Sequence, residues 1–156
     1  MRTILKVPNP ILRQKSKPIK EIGAEVKAIA ADLIALLNVK REGTITCGLA
    51  APQVGELIRM FVYRPNPHSD IPDSRVVINP EIIYAKGKLT GHETCLSVPG
   101  PGYRIKRHKI VKLRGLDLNG EQRTFKGRDL IAQVLEHERD HLDGILIDKI
   151  GIMAPH

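Results

Sequence analysis

His137-Glu138-Arg139-Asp140-His141 decides how the rest of the chain is read. On a helix, residues four apart lie on one face, about one turn apart. His137 and His141 in that spacing can hold one cation between them. Leu130 and Val134 fall on the same stripe, so both imidazoles are expected to face the core rather than water. Glu138 directly follows a ligand and sits at the edge of that face, where it can exchange protons near the ion without binding it. Two unrelated core histidines would each need a buried partner of their own. A shared metal meets both needs.

Two histidines do not complete a catalytic site, which usually takes three protein ligands and keeps one position for water. After His141 the sequence offers only Asp143, Asp148 and His156, none of them on a second helix. The third ligand is therefore expected upstream. Cys95 is the best candidate, because it lies in a non-repetitive stretch between an acid and a serine. A thiolate is a strong ligand for iron or zinc. Taken alone, Cys95 is more often a buried core cysteine; the helix motif reverses that weighting. A peptide-bond metalloprotease is the competing enzyme class, although its third ligand ordinarily follows the motif.

Composition narrows the setting. The 156 residues fit one domain, 1–156, with 42% apolar and 27% charged residues. No stretch approaches the roughly 18 apolar residues of a membrane span. The first residues lack the apolar core of a secretory signal. The two cysteines, Cys47 and Cys95, are too few for a disulfide framework. The expectation is a cytoplasmic protein with no membrane partner. Net charge is +8, with the cations dispersed except in Tyr103-Arg104-Ile105-Lys106-Arg107-His108-Lys109. That run alternates apolar and charged residues and reads as a strand with a solvated basic face. Aromatic residues are 3% and Trp is absent, which argues against a base-stacking platform and so against a specific nucleic-acid partner. Docking on an RNA-rich assembly stays open.

Along the chain, Pro8, Pro10 and Pro18 mark an extended N-terminal arm. Val26, Ile29, Ala30, Leu33, Leu36 and Leu37 recur with helical spacing and predict a helix over 23–38. Strands are expected over 57–63, 76–80, 82–84, 109–118 and 122–126, the last two joined by the Asn119-Gly120 hairpin signal. The segment 43–46 reads as a loop or a turn into a strand, and 65–74 as a surface loop. A second helix spans 129–143 and is stopped by Gly144. Residues 145–150 read as a short extended tail. Helix, mostly antiparallel strands, then helix describes an α+β domain, its strands packed around a metal-binding helix near the C-terminus.

Three segments together resemble the peptide deformylase family. They are Thr46-Cys47-Gly48-Leu49-Ala50-Ala51-Pro52-Gln53, Glu93-Thr94-Cys95-Leu96-Ser97 and Glu136-His137-Glu138-Arg139-Asp140-His141-Leu142-Asp143-Gly144. The likeness runs from Val7 to about Lys149. It implies that Cys95, His137 and His141 bind one divalent ion, Fe²⁺ in the first instance, with Zn²⁺, Ni²⁺ or Co²⁺ able to substitute. It implies Glu138 as general acid/base, with Gln53 and the Leu96 amide polarising the formyl oxygen, and Gly48 in the segment that pairs with the peptide. By the same likeness Thr46, Cys47, Glu93, Thr94, Tyr103 and Arg104 contact substrate. The implied reaction removes formate from N-formyl-methionine on nascent peptides, with transient ribosome association. Thr46 and Thr94 stand where the family has glycine, and Glu136 where it has glutamine. Those departures motivate two alternatives, a hydrolase of altered acyl specificity and a non-catalytic metal-binding homologue.

Overall fold

The computed structural model describes residues 1–154; Pro155 and His156, the latter weighed above as a ligand, lie outside the described residues. The first helix, α1 (Ala24–Leu37), buries Ile29, Ala30, Leu33 and Leu37, the positions its periodicity selects. It lies against β1 (Gly48–Ala50) and β2 (Met60–Tyr63). All four residues of β2 are buried. Met60 and Val62 pack in the cluster that includes α1, whereas Phe61 and Tyr63 join Leu135 and Leu142 on the opposite side. A continuous apolar run is what a strand covered on both faces requires.

The larger sheet has the order β1-β2-β3-β6-β7, with β3 at Arg75–Lys86, β6 at Ile110–Leu116 and β7 at Gln122–Arg128. Every pairing within it is antiparallel. The two short strands expected over 76–80 and 82–84 form the single strand β3, whose pairing with β6 shifts between Ile78 and Glu81 and again between Ile82 and Tyr84. Pro80 reads as a break, but a bulge absorbs it. At that irregularity Asn79 takes a positive φ of 51°. Its side chain accepts from Ile19 N and donates to Ile19 O, both at 2.8 Å, which fastens the N-terminal arm to the sheet.

A second sheet, β4-β5-β8, is built on the hairpin of β4 (Leu89–Cys95) and β5 (Val98–Arg107). The stretch around Cys95, read as non-repetitive, is therefore the end of a strand, and Leu96 and Ser97 form its two-residue turn. The expected extended tail is instead a single helical turn, α3 (Ile147–Ile150), followed by β8 (Ile152–Met153) on the edge of β5. Leu146 and Ile147 are anchored in a small core with Leu12, Val98 and Ile105, and that anchoring favours the turn.

Between these layers runs α2 (Leu130–Leu142), packed on β1, β2, β6 and β7 and touching β5. Leu130, placed on the core stripe by spacing, is exposed at the first turn. The far end is held firmly. Ser16 Oγ donates to Leu142 O at 2.7 Å, and Arg59 Nη1 donates to the same carbonyl at 3.0 Å and to Asp143 Oδ1 at 2.9 Å. These donors satisfy carbonyl groups that a helix terminus leaves orphaned. Gly144 then turns away with φ +72°, where a Cβ would lie 2.5 Å from the Arg13 backbone. The architecture is α+β, mixed helix and antiparallel sheet around the C-terminal helix. No helix among the described residues is long and apolar enough to cross a membrane.

Candidate metal centre

α2 presents His137 and His141 on one face, and the β4–β5 turn brings Cys95 to them. The ligating atoms of Cys95, His137 and His141 all lie within 4.8 Å of one another. Cys95 Sγ is 3.4 Å from His141 Nε2. Zinc-type bond lengths and a tetrahedral angle imply a sulfur–nitrogen separation of about 3.5 Å, so the donors are spaced for a single small cation. They are a cysteine sulfur and two imidazoles, a set that suits first-row divalent metals. Among the described residues this is the only Cys/His/Asp/Glu group drawn together in this way.

The imidazole orientation is fixed from behind. Glu93 Oε1 lies 2.8 Å from His137 Nδ1. Arg107 grips the same carboxylate with a two-pronged fork, Nε to Oε2 and Nη2 to Oε1, both at 2.9 Å, and its Nη1 reaches Asp140. Burial opposes charge on Glu93, yet the bonds from Arg107 and His137 bring its pKa down to about 2. The ionised carboxylate makes His137 Nδ1 the donor, leaving Nε2 for a metal. Burial likewise opposes charge on His137, but its contacts with Cys95 and Glu93 raise its pKa well above the ordinary value. His141 goes the other way: burial and the neighbouring charges of His137 and Arg107 keep it neutral. Arg107, read from the sequence as part of a solvated basic face, is buried because its guanidinium is matched by two carboxylates.

Glu138 is 4% exposed and lines the same cavity of about 570 Å³. Burial, reinforced by Glu93 and Asp140 against the pull of His137, pushes its carboxyl up to about 7. Its Oε1 is buried with no hydrogen-bond partner in the protein. A buried carboxylate oxygen without a partner is costly in an inert wall and useful beside a reacting water. Its other oxygen, Oε2, lies so near β1 that a Cβ on Gly48 would sit 2.6 Å away. Gly48 thus makes room for the Glu138 carboxylate.

Gln53 is almost fully buried in the 3-10 turn Ala51–Val54. Its Oε1 accepts from Ala50 N at 2.9 Å, and its Nε2 donates to Ser97 Oγ at 3.1 Å while lying 3.7 Å from Cys95 Sγ. The amide orientation is therefore set, with its NH₂ toward the cysteine. Leu96 follows Cys95 in the turn and lines the cavity, as do Thr46, Cys47, Gly48, Glu93 and Thr94. Thr46 Oγ1 accepts from Arg41 Nη1 at 3.3 Å. Burial raises the Cys47 thiol above its usual range. Tyr103 and Arg104 are not brought to this cavity; they pair with Met153 and Ile152 on the β8 side of β5. Glu93 lines the cavity with its carboxylate committed to His137 and Arg107. Sequence reasoning missed Arg107, Asp140 and Ser97. Asp140 stands inside the quoted helix motif, but nothing in a basic run signals that one arginine turns inward.

The cavity wall on α2 also carries Gln133, whose amide fills the space above Gly91. A Cβ there would lie 2.0 Å from Gln133 Nε2.

A family model described as polypeptide deformylase matches residues 1–153. A peptide deformylase of Syntrophomonas wolfei is 45% identical over 148 residues, covering 94% of this chain and 91% of the relative. That of Rhodopirellula baltica is 43% identical over 150 residues, covering 96% and 73%. Among solved structures, peptide deformylase from Thermotoga maritima superposes with TM-score 0.85 at 31% identity, over 99% of both chains. The Legionella pneumophila structure gives TM-score 0.88 at 31% identity, over 99% of this chain and 87% of that one.

Proposed function

The chain belongs to the peptide deformylase family, and on that premise we propose which of its residues perform each step of deformylation. The activity is metal-dependent hydrolysis that removes the formyl group from N-formyl-methionine peptides. Cys95, His137 and His141 would hold the ion, Fe²⁺ in our reading. When bound, it supplies Lewis acidity and lowers the pKa of water to near neutrality.

The chain's own groups do the rest. Gln53 Nε2 and the Leu96 amide hold the formyl oxygen as it gains negative charge. Glu138 takes a proton from the attacking water as the new C–O bond forms. It then passes that proton to the amine nitrogen as the C–N bond breaks, releasing formate and a free methionyl N-terminus. Glu93, gripped by Arg107, orients His137 throughout. Gly48 keeps the β1 backbone close to the reacting groups and out of the way of Glu138.

The observation that carries this reading is the partnerless Glu138 oxygen on the wall of the cavity where the three donors converge. A purely structural metal site is closed by four protein ligands, whereas only three such donors converge among the described residues. Glu138→Ala is expected to retain stoichiometric metal and to lose at least about a hundredfold in formate release from formyl-Met-Ala. Unchanged turnover in that variant would remove Glu138 from the mechanism.

A second reading, a hydrolase of altered acyl specificity, draws on Thr46 and Thr94 along the cavity. A panel of formyl, acetyl and longer acyl peptides separates the two. We further place the protein in the cytoplasm, acting on nascent chains in transient contact with the ribosome. The net charge of +8 favours such contact.

A further inference from the structure

The outer face of the larger sheet is covered over only part of its width. α1 packs on β1 and β2. Beyond it, on β3, β6 and β7, burial alternates, with Val111, Leu113 and Phe125 turned inward to the core that holds α2. The opposite positions carry Lys86, Lys112, Arg114, Lys126 and Arg128, with Glu81 as the one acid among them.

Their arrangement is unfavourable for the protein alone. Lys112 stands directly opposite Lys126 across the β6–β7 pairing. Like charges directly opposed on neighbouring strands destabilise a sheet. Glu81 reaches Arg114 only at 3.7 Å, and the Lys112 ammonium rests 5.0 Å from the centre of the Tyr84 ring. Among the described residues, Lys86, Lys112, Lys126 and Arg128 make no ion pair. Five cations against one carboxylate on a strip of sheet are complementary to a row of phosphates.

We propose that this β3-β6-β7 face docks, without sequence readout, on the phosphate backbone of duplex RNA. Backbone contact fits better than base stacking. Tyr84 already lies beneath Lys112, and aromatic residues make up only 3% of the chain. The choice of RNA rests on the deformylase reading, because formylated nascent chains emerge from an RNA-rich particle. The metal cavity lies on the other side of the sheet, across α2, so docking leaves it open.

The test is fluorescence anisotropy of the full-length chain with a labelled RNA duplex across a salt series. A DNA duplex of the same sequence and phosphatidylglycerol vesicles are parallel arms. RNA affinity is expected to fall with a log–log salt slope of about −4, and K112E/K126E to flatten that slope by about 2. The double variant should release formate at the wild-type rate, since neither residue lines the cavity. K126E alone should melt no lower than wild type, because it replaces an opposed lysine pair by an ion pair. An unchanged slope in the double variant overturns the proposal, as does binding to DNA or vesicles as tight as to RNA. Intact RNA binding in a chain that releases no formate would support the docking face while sinking the deformylase reading that selected RNA.

Discussion

Glu138 and Gln53 show how little freedom the reacting side chains have. One Glu138 oxygen abuts Gly48 and the other has no protein partner. A carboxyl pushed to about 7 sits near the pH at which acid and base steps must both run. Gln53 is held at its carbonyl by Ala50 and at its amide by Ser97, so its remaining N–H is aimed before substrate arrives. Preorganised donors of this kind lower a barrier without reorganising at the moment of reaction. Gln53→Ala should therefore lower kcat by about two to three orders of magnitude, about 3–4 kcal/mol, with a smaller change in KM. Steady-state formate release checks this; a loss confined to KM would assign Gln53 to binding alone. At this scale the sequence reads well for ligands and poorly for their supports. Helical spacing exposes His137, Glu138 and His141 directly. Ser97 and Arg107 matter through contacts 44 and 14 residues distant along the chain, which no local pattern encodes.

Elements set those contacts, and here the β4–β5 hairpin and α2 are the pair that counts. The hairpin delivers Cys95 at its turn, and Arg107 near the far end of β5 ties Glu93 of β4 to Asp140 of α2. Arg107→Met would release the buried Glu93 from its fork, leaving it only His137, and would strip the partly buried Asp140 of its partner. We expect a loss of about 3–5 kcal/mol in chemical denaturation, together with a 10- to 100-fold weaker metal affinity, a typical cost of losing a group that orients a ligand. Metal titration with a chromophoric chelator reads the second effect. Unaltered affinity would show that His137 needs no such support.

At the chain's ends, Arg13 reaches Asp148 with two bonds of 3.1 and 2.7 Å, joining the N-terminal arm to α3. The Arg13 bond holds the Asp148 carboxyl below its ordinary value of 3.8. A depressed folded-state pKa gives stability that is full above the unfolded value and lost as pH falls through the folded one. Asp148→Asn should thus lower the unfolding free energy slightly at pH 7, by about 1 kcal/mol or less because the pair is solvated, and the difference should vanish in strong acid. A difference that grows toward low pH would contradict this. Strands β4 and β8 and the turn α3 escaped sequence reading for one physical reason. Their pairing partners and anchors, not their own periodicity, make them regular.

For the molecule as a whole, the readable part was the part with strong period. α1 and α2 emerge within a residue or two of their expected bounds, and β2, β6 and β7 near theirs. The partition into two sheets and the passage of α2 between them depend on long-range pairing. So does the separation of one buried arginine from a basic surface. The fold holds three mid-chain and C-terminal donors in one place, and the chemistry follows from that convergence. X-ray absorption at the cobalt edge of the Co²⁺-loaded chain tests it most directly. The account predicts one sulfur at about 2.3 Å, two imidazole nitrogens at about 2.0–2.1 Å and a light atom from solvent, with the sulfur lost in Cys95→Ala. A coordination shell without sulfur in the wild type, or one unchanged by that substitution, would contradict the account.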